Sequence, residues 1–147
     1  MLPALQTFQL LLVDDNPTNL ELMCRIVERH LPEVRCLLAR NAAEGYKLLQ
    51  NQQIDGAFID VQMPRITGID MCRALKKNPE TAHIPLVLLT AHVASPQTRA
   101  EGLDAGAYDF ISQPISNVEL LARLRVMLRM QRERKHLAER CLLIPAE

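Results

Sequence analysis

Tryptophan is absent from this chain, and aromatic residues make up only 3% of it. Recognition of single-stranded nucleic acid by stacking bases on aromatic side chains therefore has little to work with. Net charge is missing too, since 17 basic residues balance 17 acidic ones. The balance is uneven along the chain. Residues 1–120 hold 10 basic and 14 acidic residues, whereas residues 121–147 hold 7 and 3, so a mildly acidic body precedes a basic tail. Long apolar runs are also absent. The stretch FQLLLV is too short for a signal peptide or a membrane span, and no basic region stands before it, which points to a cytoplasmic address. The four cysteines, Cys24, Cys36, Cys72 and Cys141, form no Cys-x-x-Cys pair, and three lie in apolar-periodic segments. They are expected as buried, reduced thiols. There is no internal repeat and no low-complexity segment.

What is present is an alternation of short apolar runs and amphipathic segments in 147 residues, a length that suits one domain with a full core. Strands are predicted at Gln9–Val13, Val34–Leu38, Gly56–Ile59, Leu86–Leu89 and Asp109–Ile111. Each is nearly continuous in apolar residues, as in parallel strands covered on both faces. Helices are predicted at Pro17–His30, Ala42–Gln50, Gly68–Lys76, Pro96–Ala105 and from Asn117 onward. Asn41 with Glu44, Thr67 with Asp70 and Ser116 with Glu119 have capping-box spacing, and Pro17 and Pro96 suit first-turn positions. Leu20, Met23, Val27 and Leu31 form one stripe of the first helix. Five β-α units with short connections imply a parallel sheet with helices on both faces. The fifth helix is long for such a plan. Nothing breaks it before Pro145, and its second half, RMQRERKHLAER, is mostly charged. It is expected to project into solvent or to pair with another helix, as a linker toward a partner or a missing domain. Direct nucleic-acid or membrane binding by this segment is not expected, because charge without a reading motif is weak support.

In an open parallel sheet, ligands bind beyond the carboxyl ends of the strands. Those ends carry a selected set of polar residues here. Strand one runs into Asp14 and Asp15, strand three into Asp60, strand four into Thr90, and strand five toward Gln113 and Pro114. Clustered carboxylates suit Mg²⁺, which prefers hard oxygen ligands. Asp60 has the chemistry of a nucleophile toward phosphorus, and Thr90 could donate to a phosphoryl oxygen. Singly, each residue is an ordinary turn, cap or strand-end residue. Their placement on one rim is what carries the reading.

LLLVDDNPTNLELM, GAFIDVQMPRITGIDMCRALK, IPLVLLTAH and GAYDFISQPI together resemble the receiver domain of two-component response regulators. The resemblance covers residues 8–130 and sets residues 131–147 apart as an extended C-terminal helix or linker. It implies a flavodoxin-like (βα)5 α/β fold with strand order 2-1-3-4-5. It also implies Mg²⁺-dependent phosphoryl transfer onto Asp60 from a histidine kinase or histidine phosphotransfer protein. By this resemblance Asp14, Asp15 and Asp60 hold the metal together with the backbone carbonyl of Gln62. Thr90 and Phe110 are the switch residues, and Ala91 is the small residue beside the phosphate. Gln113–Pro114 stands where the family has Lys-Pro, a bond usually cis there. The domain is then a signalling module rather than an enzyme, and the resemblance leaves room for a homodimer through the face of helix four, strand five and helix five or through the C-terminal helix. An opening like VDDNPTN also occurs in receivers of hybrid sensor kinases and cyclase-linked regulators, which points to a multidomain parent.

The departure is Gln113. A glutamine amide donates a neutral hydrogen bond, whereas a lysine would bring charge to the phosphoryl group. The alternative reading it supports is a phosphorylation-independent receiver acting as an interaction module. A phosphatase of the haloacid dehalogenase type needs an Asp-x-Asp pair after its first strand. Gln62 stands two after Asp60, and Asn16 and Pro17 follow Asp15, so that reading lacks its acid/base residue.

Overall fold

The computed structural model describes residues 7–91, 94–112 and 115–143, with side chains as far as residue 140. Five strands and five helices alternate along it: β1 (Phe8–Val13), α1 (Pro17–His30), β2 (Val34–Ala39), α2 (Ala42–Asn51), β3 (Gly56–Asp60), α3 (Gly68–Lys77), β4 (Leu86–Thr90), α4 (Pro96–Asp104), β5 (Asp109–Ser112) and α5 (Asn117–Leu143). The strands form one parallel sheet in the order β2-β1-β3-β4-β5, as the sequence predicts. Four of the five strands run one residue further at their carboxyl ends than predicted, into Ala39, Asp60, Thr90 and Ser112. Parallel pairing continues through the polar residue that ends the apolar run: Asp60 pairs with Leu89, and Thr90 with Ser112.

Both faces of the sheet are apolar. Leu11, Val13, Ala57, Ile59, Leu86 and Leu88 are buried in one cluster with Met71, Cys72 and Leu75 of α3. Their strand neighbours Leu10, Leu12, Phe58, Val87 and Leu89 are buried as well, as are Leu20, Met23, Val27 and Leu31 of the predicted α1 stripe. Burial on both faces explains why the strands read as continuous apolar runs rather than as an alternation.

Helix ends follow the predicted caps. The Asn16 side chain accepts from the N–H groups of Thr18 and Asn19, with Pro17 in the first turn. Thr67 and Asp70 close a reciprocal capping box, each side chain accepting from the other's backbone N–H. Between β3 and α3, Arg65 has φ 71°, a left-handed conformation unusual for a residue with a Cβ.

The chain divides into two compact units, Met1–Ile115 and Ser116–Glu147. The second is α5. Leu120, Leu121, Leu124, Met127, Leu128 and Gln131 are buried, and every residue from Arg132 to Arg140 is exposed. Among the described residues, no helix is long and apolar enough to cross a membrane. One expectation needs correction. Cys72 is fully buried, but Cys24 and Cys36 are only half-buried, because α1 and the edge strand β2 leave their side chains at the margin of the core.

Candidate functional site

The register of the sheet builds the site. Val13 of β1 pairs with Ile59 of β3, so the next residues, Asp14 and Asp60, come side by side. The Asp14 N–H donates to Ala39 O at 3.1 Å, which continues the ladder one step past β1 and holds Asp14 at the rim. Asp15 then turns outward and is exposed, whereas Asp14 is buried and Asp60 is half-buried. Carboxylate oxygens of Asp14, Asp15 and Asp60 all lie within 4.8 Å of one another.

Backbone amides orient two of the three carboxylates. Asn16 N–H donates to Asp14 Oδ1 at 2.9 Å, and Gln62 N–H donates to Asp60 Oδ1 at 3.3 Å. These bonds do not offset the cost of crowding. Burial, followed by the charges of Asp14 and Asp15, pushes the Asp60 carboxyl up to about 7. Burial raises the Asp14 carboxyl too, with Asp15 adding to the effect. A rim of three carboxylates in which Asp14 and Asp60 resist ionising suits a hard divalent cation, whose charge would remove the conflict. The donor set is all oxygen, which fits Mg²⁺ or a similar ion and disfavours a thiophilic one.

The neighbouring rim is built by β4 and β5. Thr90, the last residue of β4, is buried, and Ala91 after it is exposed. Phe110 is only 2% exposed. Arg99 of α4 lies over its ring at 5.6 Å from the centroid, and Arg99 Nη2 donates to Phe110 O at 3.2 Å. Gln113 and Pro114 lie outside the described residues.

Gly68 also shapes the site, although it has no functional group that would mark it in the sequence. Its N–H donates to Val61 O at 3.0 Å. A Cβ at this position would collide with the carbonyl oxygen of Asp60 and stand 2.9 Å from its carbonyl carbon. The first turn of α3 is thus in direct contact with the backbone of Asp60. The only trace in the sequence is a glycine placed immediately after a capping residue, eight positions beyond an aspartate.

Comparison with known proteins agrees with this architecture. The family model described as the response regulator receiver domain matches residues 10–125. The chain is 36% identical over 121 residues to the response regulator MprA of Mycobacterium sp. (strain KMS), covering 82% of this chain and 50% of that protein. It is 35% identical over 123 residues to the response regulator PleD of Caulobacter vibrioides, covering 84% of this chain and 26% of that protein. The chain therefore spans half or less of the length of these two relatives. Among solved structures, it is similar to the signal receiver domain of a signal transduction histidine kinase from Syntrophus aciditrophicus. The TM-score is 0.76 at 32% identity, covering 84% of this chain and 91% of that one. A CheY-like receiver domain protein from Methanospirillum hungatei shares the fold with a TM-score of 0.78 at 24% identity, over 89% of this chain and 99% of that one. With its 2-1-3-4-5 parallel sheet, its carboxylates gathered at the ends of β1 and β3, and a family match across most of its length, this chain belongs to the response regulator receiver domain family.

Proposed function

We propose that this domain accepts a phosphoryl group on Asp60 from a histidine kinase or histidine phosphotransfer protein and passes the change to a partner or an attached domain. The observation that carries this reading is the meeting of the Asp14, Asp15 and Asp60 carboxylates within 4.8 Å at the carboxyl ends of the strands. In this proposal Asp14, Asp15, Asp60 and the backbone carbonyl of Gln62 hold Mg²⁺. Bound there, the ion supplies positive charge that lets the carboxylates ionise together and offsets the charge of the phosphoryl group. Asp60 then attacks phosphorus through a carboxylate oxygen. An O–P bond forms, the P–N bond to the donor imidazole breaks, and the imidazole nitrogen keeps the electron pair.

Thr90 is the hydroxyl that turns to a phosphoryl oxygen. It is already engaged in its buried position, so it exchanges one interaction for another. Phe110 is already in the core, so its response is a repacking beside Thr90 rather than an entry from solvent. Arg99 would convey it to α4, because it touches both the ring and the carbonyl of Phe110. The receiver is taken as residues 8–130, with residues 131–147 as a cytoplasmic linker helix, open to self-association, in a longer signalling protein.

Incubation with Mg²⁺ and acetyl phosphate is expected to add one phosphoryl mass to the intact chain. The adduct should be absent without Mg²⁺ and absent from Asp60→Asn. An adduct of the same size on Asp60→Asn would move the acceptor elsewhere. No adduct from acetyl phosphate or from a phosphorylated donor protein would favour the interaction-module reading that Gln113 suggests.

Gln113 makes a second expectation. A lysine there would exchange a neutral hydrogen bond for a charge-assisted one, a difference of about 1 kcal/mol or roughly fivefold in an equilibrium or rate. Gln113→Lys is therefore expected to change the half-life of the phosphorylated form by about that factor, read as decay of the mass adduct after donor removal. An unchanged half-life and an unchanged conformational response would leave Gln113 without a role in the switch.

A further inference from the structure

A second cluster of metal-ligating side chains lies away from the carboxylate rim, on the far edge of the sheet. Cys24 and Glu28 are four residues apart on α1 and so share one helix face. Cys36 lies on β2, the edge strand. The two sulfurs and a Glu28 carboxylate oxygen all lie within 4.8 Å of one another. Glu28 Oε2 accepts from Cys24 Sγ at 3.4 Å and from the Cys36 backbone N–H at 3.3 Å. The three side chains are half-buried, and both cysteines are free thiols.

We propose that Cys24, Glu28 and Cys36 form a binding site for a thiophilic divalent cation of the Zn²⁺ class, joining α1 to the edge strand β2. Geometry supports it first. Ordinary Zn–S and Zn–O lengths at tetrahedral angles put sulfur and oxygen ligands about 3.5 Å apart and two sulfurs about 3.8 Å apart. The Cys24 Sγ to Glu28 Oε2 distance of 3.4 Å already has the first value. The 4.8 Å limit on the remaining pairs leaves at most about 1.0 Å of closure between the two sulfurs and about 1.3 Å between Cys36 Sγ and the Glu28 carboxylate, within reach of side-chain rotation.

The donor set chooses the ion. Two sulfurs and one carboxylate disfavour Mg²⁺ and suit a borderline-soft cation, with water completing the fourth position. The Cys36 N–H donates to Glu28, which orients the carboxylate toward both sulfurs, as an outer hydrogen bond does for a metal ligand. A dithiol poised only for disulfide formation would not need a carboxylate shared between its two halves.

The test is a Co²⁺ titration of the full chain, reduced with a phosphine that does not compete for metal. Thiolate-to-cobalt charge transfer in the near ultraviolet is expected to saturate at one ion per chain and to be displaced by Zn²⁺. Cys24→Ser and Cys36→Ser should each lose that band. Glu28→Gln, which keeps the shape and one hydrogen-bond acceptor, should remain folded by circular dichroism and bind at least about tenfold more weakly. Cys72→Ala, Cys141→Ser and Asp60→Asn should retain the band, which separates this site from the carboxylate rim and from the other thiols. Zn²⁺ should also raise the melting temperature of the wild type and not that of Cys36→Ser. The absence of a charge-transfer band in reduced wild-type protein would overturn the proposal, as would a band that survives Cys36→Ser or disappears in Asp60→Asn. Formation of a Cys24–Cys36 disulfide in air, together with no Co²⁺ band after reduction, would recast the cluster as a redox pair and equally overturn it.

Discussion

Without added metal, Asp60→Asn is expected to be more stable than the wild type at pH 8, by about 1–3 kcal/mol, and to have nearly the same stability near pH 4. The Asp60 carboxyl has its folded-state value at about 7, above the ordinary value of 3.8. The folded state therefore binds more protons than the unfolded state between those two values. Stability then falls as pH rises through the window, and the loss is complete above the folded value. Asparagine cannot ionise, so the variant escapes the penalty. The full shift would correspond to about 4 kcal/mol, and solvent screening of a half-buried group reduces it to about 1–3 kcal/mol. Urea unfolding of both proteins at several pH values in chelator gives the difference directly, because charge effects elsewhere cancel between them. Equal stability at pH 8 would mean that Asp60 carries no stored repulsion. Mg²⁺ should reverse the order. It stabilises whichever state binds it, by an amount that grows with the ratio of its concentration to its dissociation constant. The wild type should gain more than Asp60→Asn, which lacks one of the carboxylates.

Gly68→Ala is expected to destabilise the domain by about 2–4 kcal/mol and to lower the rate of Asp60 phosphorylation well beyond what the lost stability explains. The added methyl has no flexible neighbour to displace. It would strike the carbonyl oxygen of Asp60 and stand 2.9 Å from the carbonyl carbon and 3.0 Å from Val61 Cα, all of them backbone atoms. Relief requires moving α3 or the end of β3, and β3 is tied through Val61 N–H to Leu89 O at 2.8 Å. Gly45→Ala is the comparison, because the atom it meets first is the Met71 methyl, the far end of a flexible side chain. That substitution should cost less and leave phosphorylation intact. If Gly68→Ala accepts phosphate from acetyl phosphate at the wild-type rate while folded, the contact between α3 and Asp60 has no functional weight.

Much of this architecture could be read from the residues, for a physical reason. Strands covered on both faces need continuous apolar runs, and helices between them need caps, and both leave plain marks. The ends of strands were less legible. The apolar runs stop at Ile59 and Leu89, but backbone pairing is indifferent to side-chain polarity, so Asp60 and Thr90 remain in the ladder. The rim residues were legible because each is a polar residue closing an apolar run. The meeting of Cys24 with Cys36 was not, since it depends on a helix and a strand with different rises. The six helical steps from Cys24 to His30 climb about 9 Å. After the turn at residues 31–33, β2 returns about 7 Å from Val34 to Cys36. The two thiols thus meet on opposite sides of one turn, at a spacing that lies outside any Cys-x-x-Cys pattern.

The manner in which α4 is held has a consequence for how the domain opens. Its buried residue is Gly102, which contributes no side chain to the core, while Leu103 is 47% exposed. Releasing such a helix withdraws no large apolar side chain of its own from the core and uncovers chiefly Phe110 and Leu88, which lie against Gly102, so its opening free energy lies below that of the whole fold. The amides of α4 should therefore exchange with solvent hydrogen through local excursions, while those of β1 and β3 exchange only when the domain unfolds. An element placed to respond to Phe110 is thus also one that its own side chains anchor weakly, so a modest change in free energy at the carboxylate rim suffices to redistribute it.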